Sequence, residues 1–151
     1  SPLFRKVVRA TAYVEGWGSF SEELMLDAGW ADNAPLTRLA HLRKRLENAT
    51  RAYVSVMVNS KDWDRERVIR FASEEGLLAP QFASNLWHRV VNSPMQITDY
   101  FTGFKAFKEL FAEFEQRQTA RQPDERESLQ SWVDSVLRAG PVPLKLLRDE
   151  L

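Results

Sequence analysis

The stretch FKAFKELFAEF, residues 104–114, repeats phenylalanine at Phe104, Phe107, Phe111 and Phe114. Steps of three and four keep one face of an α-helix apolar, whereas a strand would alternate by two. Ser93-Pro94 upstream gives a capping residue followed by proline, a helix-start signal, and Gln122 to Asp124 breaks the pattern. The same period continues toward the N-terminus. Phe4, Val7, Val8, Ala12, Val14, Trp17, Phe20 and Leu24 predict a first helix from Ser1-Pro2 to Gly29. Leu36, Leu39, Leu42, Leu46, Ala49, Tyr53 and Met57 predict a second, opening at Asn33 to Pro35 and closing near Asn59. Asp64 is placed to cap a third, with Val68, Ile69, Phe71 and Ala72, that stops at Gly76. A fourth starts near Pro80 and ends before Pro94. Beyond the phenylalanine helix, a sixth is expected from about Asp124 to Ala139, then a short turn with Leu144, Leu146 and Leu147.

The fold expected is therefore all-α, an irregular array of about six to seven helices forming one domain over residues 1–151. The chain opens Ser1-Pro2-Leu3-Phe4 without a methionine, so it is read as a piece of a longer protein. The first helix is apolar around much of its circumference. Part of it, around Val7, Val8 and Trp17, is expected to be exposed or covered by a second copy, so self-association is a candidate property.

Composition narrows the function. Lys plus Arg and Asp plus Glu are 21 each, giving zero net charge, which argues against a nucleic-acid partner. The run Arg43, Lys44, Arg45 reads as a solvated helix face. With no cysteine, disulfides and thiolate chemistry are excluded. No apolar run is long enough to span a bilayer, no signal peptide is visible, and nothing fixes a compartment. The two histidines, His41 and His88, stand on separate predicted helices, so a self-contained zinc site is not expected. His41 is read as a surface or half-buried residue and His88 as a packed one. Titration of the chain with zinc should show no stoichiometric site.

Two constellations carry candidate chemistry. Glu15 lies in the apolar stretch Tyr13 to Trp17, on a face with Thr11, Ala12, Gly18, Ser19 and Glu22. A carboxylate there must be paired, protonated or metal-bound, because a bare buried charge is costly. Glu22, roughly 10 Å further along the axis at 1.5 Å per residue, cannot share one ion with Glu15 but could stand behind it or hold an arginine. In the second constellation Gln96, Tyr100 and Gly103 share one helical stripe. Gly103 would leave space in front of the Tyr100 hydroxyl and the Gln96 amide, which could orient a substrate carbonyl. The alternative is a buried tyrosine whose hydroxyl is satisfied by Gln96.

Together these segments resemble a bacterial family, the domain of unknown function 885, whose members resemble gluzincin-type zinc metallopeptidases. Ser1-Pro2-Leu3-Phe4-Arg5-Lys6 is similar to the family's segment after its HExxH helix. Glu15-Gly16-Trp17-Gly18-Ser19-Phe20-Ser21-Glu22 resembles its EGW helix, with Phe20 in place of a tyrosine. Arg51 and Trp63 fit the next stretch, and Pro94, Gln96, Tyr100 and Gly103 the one after, with Arg89 upstream. Asp134, Leu137, Gly140, Pro143 and Leu144 fit the closing one.

The resemblance implies that this chain is the C-terminal part of a larger metallopeptidase-like helical fold, inert alone. Its partner would be the missing N-terminal part that carries HExxH. Glu15 would be the third zinc ligand, and Tyr100 and Gln96 would face a peptide-like substrate in the same concavity. Glu22 and Arg89 would support them, and the absent HExxH glutamate would be the general base. Ser55, Asn59 and Val133 stand where the family pattern has aspartate and histidines. The competing reading is a helical interaction or scaffold domain without chemistry; an HExxH upstream of Ser1 would favour the enzyme, its absence the scaffold.

Overall fold

The periodic segments fold as α-helices throughout, in a computed structural model that describes residues 10–151, the side chain of Asn33 excepted. Among the described residues there are seven: α1 (Thr11–Asp27), α2 (Pro35–Lys61), α3 (Arg65–Glu74), α4 (Pro80–Asn92), α5 (Asp99–Ala120), α6 (Leu129–Ala139) and α7 (Leu144–Glu150), with no strand. The expected Ser1-Pro2 start, and Phe4, Val7 and Val8, lie outside the described residues. Local chemistry explains most ends. Gly29 takes φ 94°, a left-handed conformation open to glycine. Asp64 Oδ1 accepts the Arg67 backbone N–H at 2.8 Å and caps α3.

Two helix starts differ from the sequence reading. Ser93-Pro94 does not open α5: the Gln96 N–H closes a tight turn onto Pro94 O at 2.8 Å. Met95 there takes φ 63°, which a right-handed helix cannot absorb, so α5 begins at Asp99 after a 3-10 turn at Gln96–Thr98. Likewise Asp124 falls in a 3-10 turn (Pro123–Glu125), and α6 waits for Ser128, whose Oγ accepts from Ser131 N at 3.1 Å.

The described residues divide into two compact units, residues 10–20 with 102–151, and residues 21–101. The first unit is built on aromatic packing. Tyr13, Trp17 and Phe20 from α1 meet Phe107 and Phe111 from α5 and Trp132 from α6, with ring centroids 5.2–6.5 Å apart across the cluster. Phe20 and Trp132 are each 1% exposed. Trp17 is half-buried among these rings, and Val7 and Val8, the other residues expected to be exposed or covered by a second copy, lie outside the described residues. The helices approach this closely because glycine meets glycine. A Cβ on Gly103 would run into the Ala12 carbonyl oxygen, and one on Gly16 into the Gly103 backbone.

The Tyr13 hydroxyl, buried in this unit, donates to Val136 O at 2.7 Å. Burial pushes its pKa above the usual 10.0. The folded state therefore holds this proton to higher pH than the unfolded chain does. The stability owed to Tyr13 is fully present below about pH 10 and is lost as pH rises through the folded value. Tyr13→Phe should flatten that alkaline loss in urea titrations taken at several pH values. At neutral pH it should cost about 1 kcal/mol, because Val136 O still accepts from Gly140 N.

In the second unit the core is Val54, Trp63, Val68, Ala72, Ala83, Leu86, Val90 and Ile97, with Tyr53 and Phe71 stacked beside Trp63. Here α2 turns an unexpected face inward. The stripe that predicts the helix is largely outside, with Leu36 79% and Leu39 61% exposed and Leu42, Leu46 and Tyr53 also exposed. The inward face carries His41, Asn48, Thr50, Ala52, Val54 and Ser55. No helix of the described residues is long and apolar enough to cross a membrane.

Candidate functional site

Helix α1 carries the first candidate. Glu15 is half-buried one residue before the Gly16 crossing. Its backbone carbonyl accepts from Ser19 Oγ at 3.0 Å. Its carboxylate has no hydrogen-bond or ion-pair partner among the described residues. The pairing that the sequence allowed as an alternative is therefore not seen there.

Seven residues on, the helix does pair its acids. Among the described residues Glu22 is not held by an arginine; its Oε2 stands 3.5 Å from His41 Nδ1. Glu23, which the sequence reading passed over, is buried, and its Oε2 lies 3.2 Å from His41 Nε2 and 2.8 Å from Arg45 Nη1. His41 is itself 7% exposed, which corrects its reading as a surface or half-buried residue: two carboxylates from α1 meet its two ring nitrogens. His41 and Arg45 are four apart on α2 and face the same acid, a spacing that was visible in the sequence. His88, expected to be packed, is exposed. Glu22 and His41 also line an open cleft of about 520 Å³ with Met25, Trp30, Thr37 and Lys44.

Of the second candidate, Gln96 and Tyr100 stand in residues 21–101 and Gly103 in residues 102–151. Gln96 accepts from Arg89 Nη2 at 2.8 Å through Oε1, so the arginine holds the amide oxygen. Tyr100 is half-buried and packs on the Val54–Trp63–Ile97 core. Gly103 does not leave a gap: Ala12 and Gly16 of α1 fill the space in front of it. The open space that motivated a substrate-facing stripe is thus occupied by backbone at Gly103.

The positions that depart from the family pattern are structural here. Ser55 is fully buried with Oγ 3.8 Å from Met95 Sδ. Asn59 Nδ2 donates to Ser55 O at 2.8 Å, and Val133 is half-buried on α6. Among the described residues no group of three or more histidines or carboxylates could hold a metal ion.

The chain belongs to the family described as bacterial protein of unknown function (DUF885), whose model matches residues 1–151. No curated protein matches it. Two solved structures share the fold. One is described as a putative lipoprotein from Colwellia psychrerythraea, at TM-score 0.88 and 28% identity over 99% of this chain and 25% of that one. The other is described as a putative lipoprotein of unknown function from Shewanella oneidensis, at TM-score 0.83 and 23% identity over 91% of this chain and 24% of that one. The chain spans about a quarter of the length of either structure.

Proposed function

We propose that this chain is the helical C-terminal part of a zinc-dependent, metallopeptidase-like hydrolase and supplies the glutamate ligand, Glu15. The observation that carries the reading is Glu15, a half-buried residue whose carboxylate has no partner among the described residues. A carboxylate in that setting is stabilised by a cation. The two histidine ligands would come from an HExxH helix outside these residues, and the metal would supply Lewis-acid chemistry toward a peptide or amide bond. Glu15 would hold it from α1, and Tyr100 and Gln96 would orient the substrate. The Gln96 amide is held in place by Arg89, which suits a positioning group. Glu22 does not support Glu15 directly, since it is engaged with His41.

A second reading, a helical domain without chemistry, is favoured by one specific observation. The Asn59 side chain is tied to Ser55 O, and Ser55 is buried against Met95, so these positions offer nothing to a substrate. The test starts with the sequence that precedes residue 1. The hydrolase reading requires HExxH there, and the longer protein should then hold one zinc per chain and cleave peptides. A longer protein with no HExxH, or one that carries the motif but purifies without metal and takes none up, would leave the scaffold reading.

A further inference from the structure

A small cleft between the middle of α2, the α4 helix and the turn before α5 has polar walls of one character. Arg51, Asn85 and Arg89 line it together with a single carboxylate, Glu47, and it encloses about 210 Å³. At roughly 30 Å³ per water in the liquid, that is room for a small organic group. Glu47 is already committed, since its Oε1 is paired with both Lys44 and Arg51. Arg89 donates to the neutral Gln96 and has no carboxylate partner among the described residues. Asn85 accepts from Gln81 Nε2 at 3.2 Å through Oδ1, which leaves its own amide N–H groups free to donate. Lining residues and ion-pair partners together set three cations against one acid, and the unspent groups are donors. The opposite wall is apolar: Ile97 and Leu86 are buried, and Phe82 stands 64% exposed at the rim.

We infer that this cleft binds a small organic carboxylate bearing an apolar side chain, the chemistry of a peptide's C-terminal residue. The carboxylate takes the fork of the Arg89 guanidinium, the geometry in which arginine and carboxylate pair best, with Asn85 as a further donor. The side chain lies on Leu86, Ile97 and Phe82. A bare inorganic anion would leave that apolar wall unused. An uncharged analogue would leave the Arg89 charge unmatched. The inference concerns residues 21–101 alone and does not need a metal. Its extension, that a hydrolase built on this chain would take substrates with a free C-terminal carboxylate, rests on the proposed function.

The test uses the full 151-residue chain without zinc, which separates it from the hydrolase reading. N-acetyl-leucine, N-acetyl-leucinamide and inorganic phosphate are each titrated while backbone amide NMR shifts are followed. Saturable shifts centred on Asn85, Arg89 and Ile97 are expected for N-acetyl-leucine, with a dissociation constant on the order of 1–10 mM. The amide and phosphate should each bind at least about tenfold more weakly, and Arg89→Gln should weaken N-acetyl-leucine by about tenfold or more. Arg89 is exposed, so the variant should keep its circular dichroism spectrum. If it does not fold, the comparison of carboxylate with amide on the unsubstituted chain still decides. Equal binding of the amide, equal binding of phosphate, saturation elsewhere on the chain, or no saturable shift would each overturn the inference.

Discussion

Gly103→Ala should destabilise the chain by about 3 kcal/mol or more, although alanine is the better helix former by roughly 1 kcal/mol. The sign reverses because of what stands in front of the residue. A Cβ on Gly103 would enter the Ala12 carbonyl oxygen and lie 2.8 Å from the Gly16 Cα. Both are helix backbone, which cannot rotate away as a side chain can. Relief requires α1 and α5 to separate, and that opens the packing of Tyr13, Trp17 and Phe20 against Phe107. Gly16→Ala should behave in the same way, since its Cβ would sit 2.5 Å from the Gly103 Cα. The control is Gly18→Ala on α1, where a Cβ meets nothing within 4 Å among the described residues. That substitution should raise stability by up to about 1 kcal/mol. Urea unfolding followed by tryptophan fluorescence measures all three. A Gly103→Ala protein as stable as the parent would mean that the helices do not meet at these glycines.

What could be read in advance, and what could not, divides along physical lines. Helix existence was legible because the 3.6-residue period is a property of one segment, as in Phe104, Phe107, Phe111 and Phe114. Three of these are buried, and Phe111 is half-buried against Phe20 and Trp132. Caps with a side-chain acceptor, such as Asp64, were legible for the same reason. Which face of a helix is covered depends on a second helix, and there the sequence misleads. The leucine stripe of α2 is exposed while the polar His41, Asn48 and Ser55 point inward. Gly103 was read beside Tyr100, as space for a substrate, because a single-helix projection cannot show Gly16 arriving opposite it. His41 was misjudged likewise: its two partners lie 18 and 19 positions earlier on another helix. Of the candidate site, the Arg89–Gln96 pair was anticipated only as neighbouring motif positions, and the structure joins them by a hydrogen bond.

Substituting Glu15 separates the hydrolase from the scaffold, because the two readings predict opposite patterns over two proteins. In the 151-residue chain Glu15 is half-buried and its carboxylate unpartnered among the described residues. Glu15→Gln removes a charge there without breaking an ion pair, so the stability of this chain should change by less than about 0.5 kcal/mol, or rise. In a longer protein that carries HExxH, the same substitution replaces an anionic zinc ligand with a neutral amide. Even groups that only support a ligand typically change metal affinity or activity by 10–100-fold. Loss of the ligand itself should therefore lower zinc affinity and peptide hydrolysis by more than about 100-fold. Thermal unfolding of the short chain, with metal analysis and peptide cleavage by the long one, gives both halves. If Glu15 is instead a structural residue, the short chain is the one that suffers and the long protein keeps its metal. That outcome would remove Glu15 from the metal centre and leave α1 as packing alone.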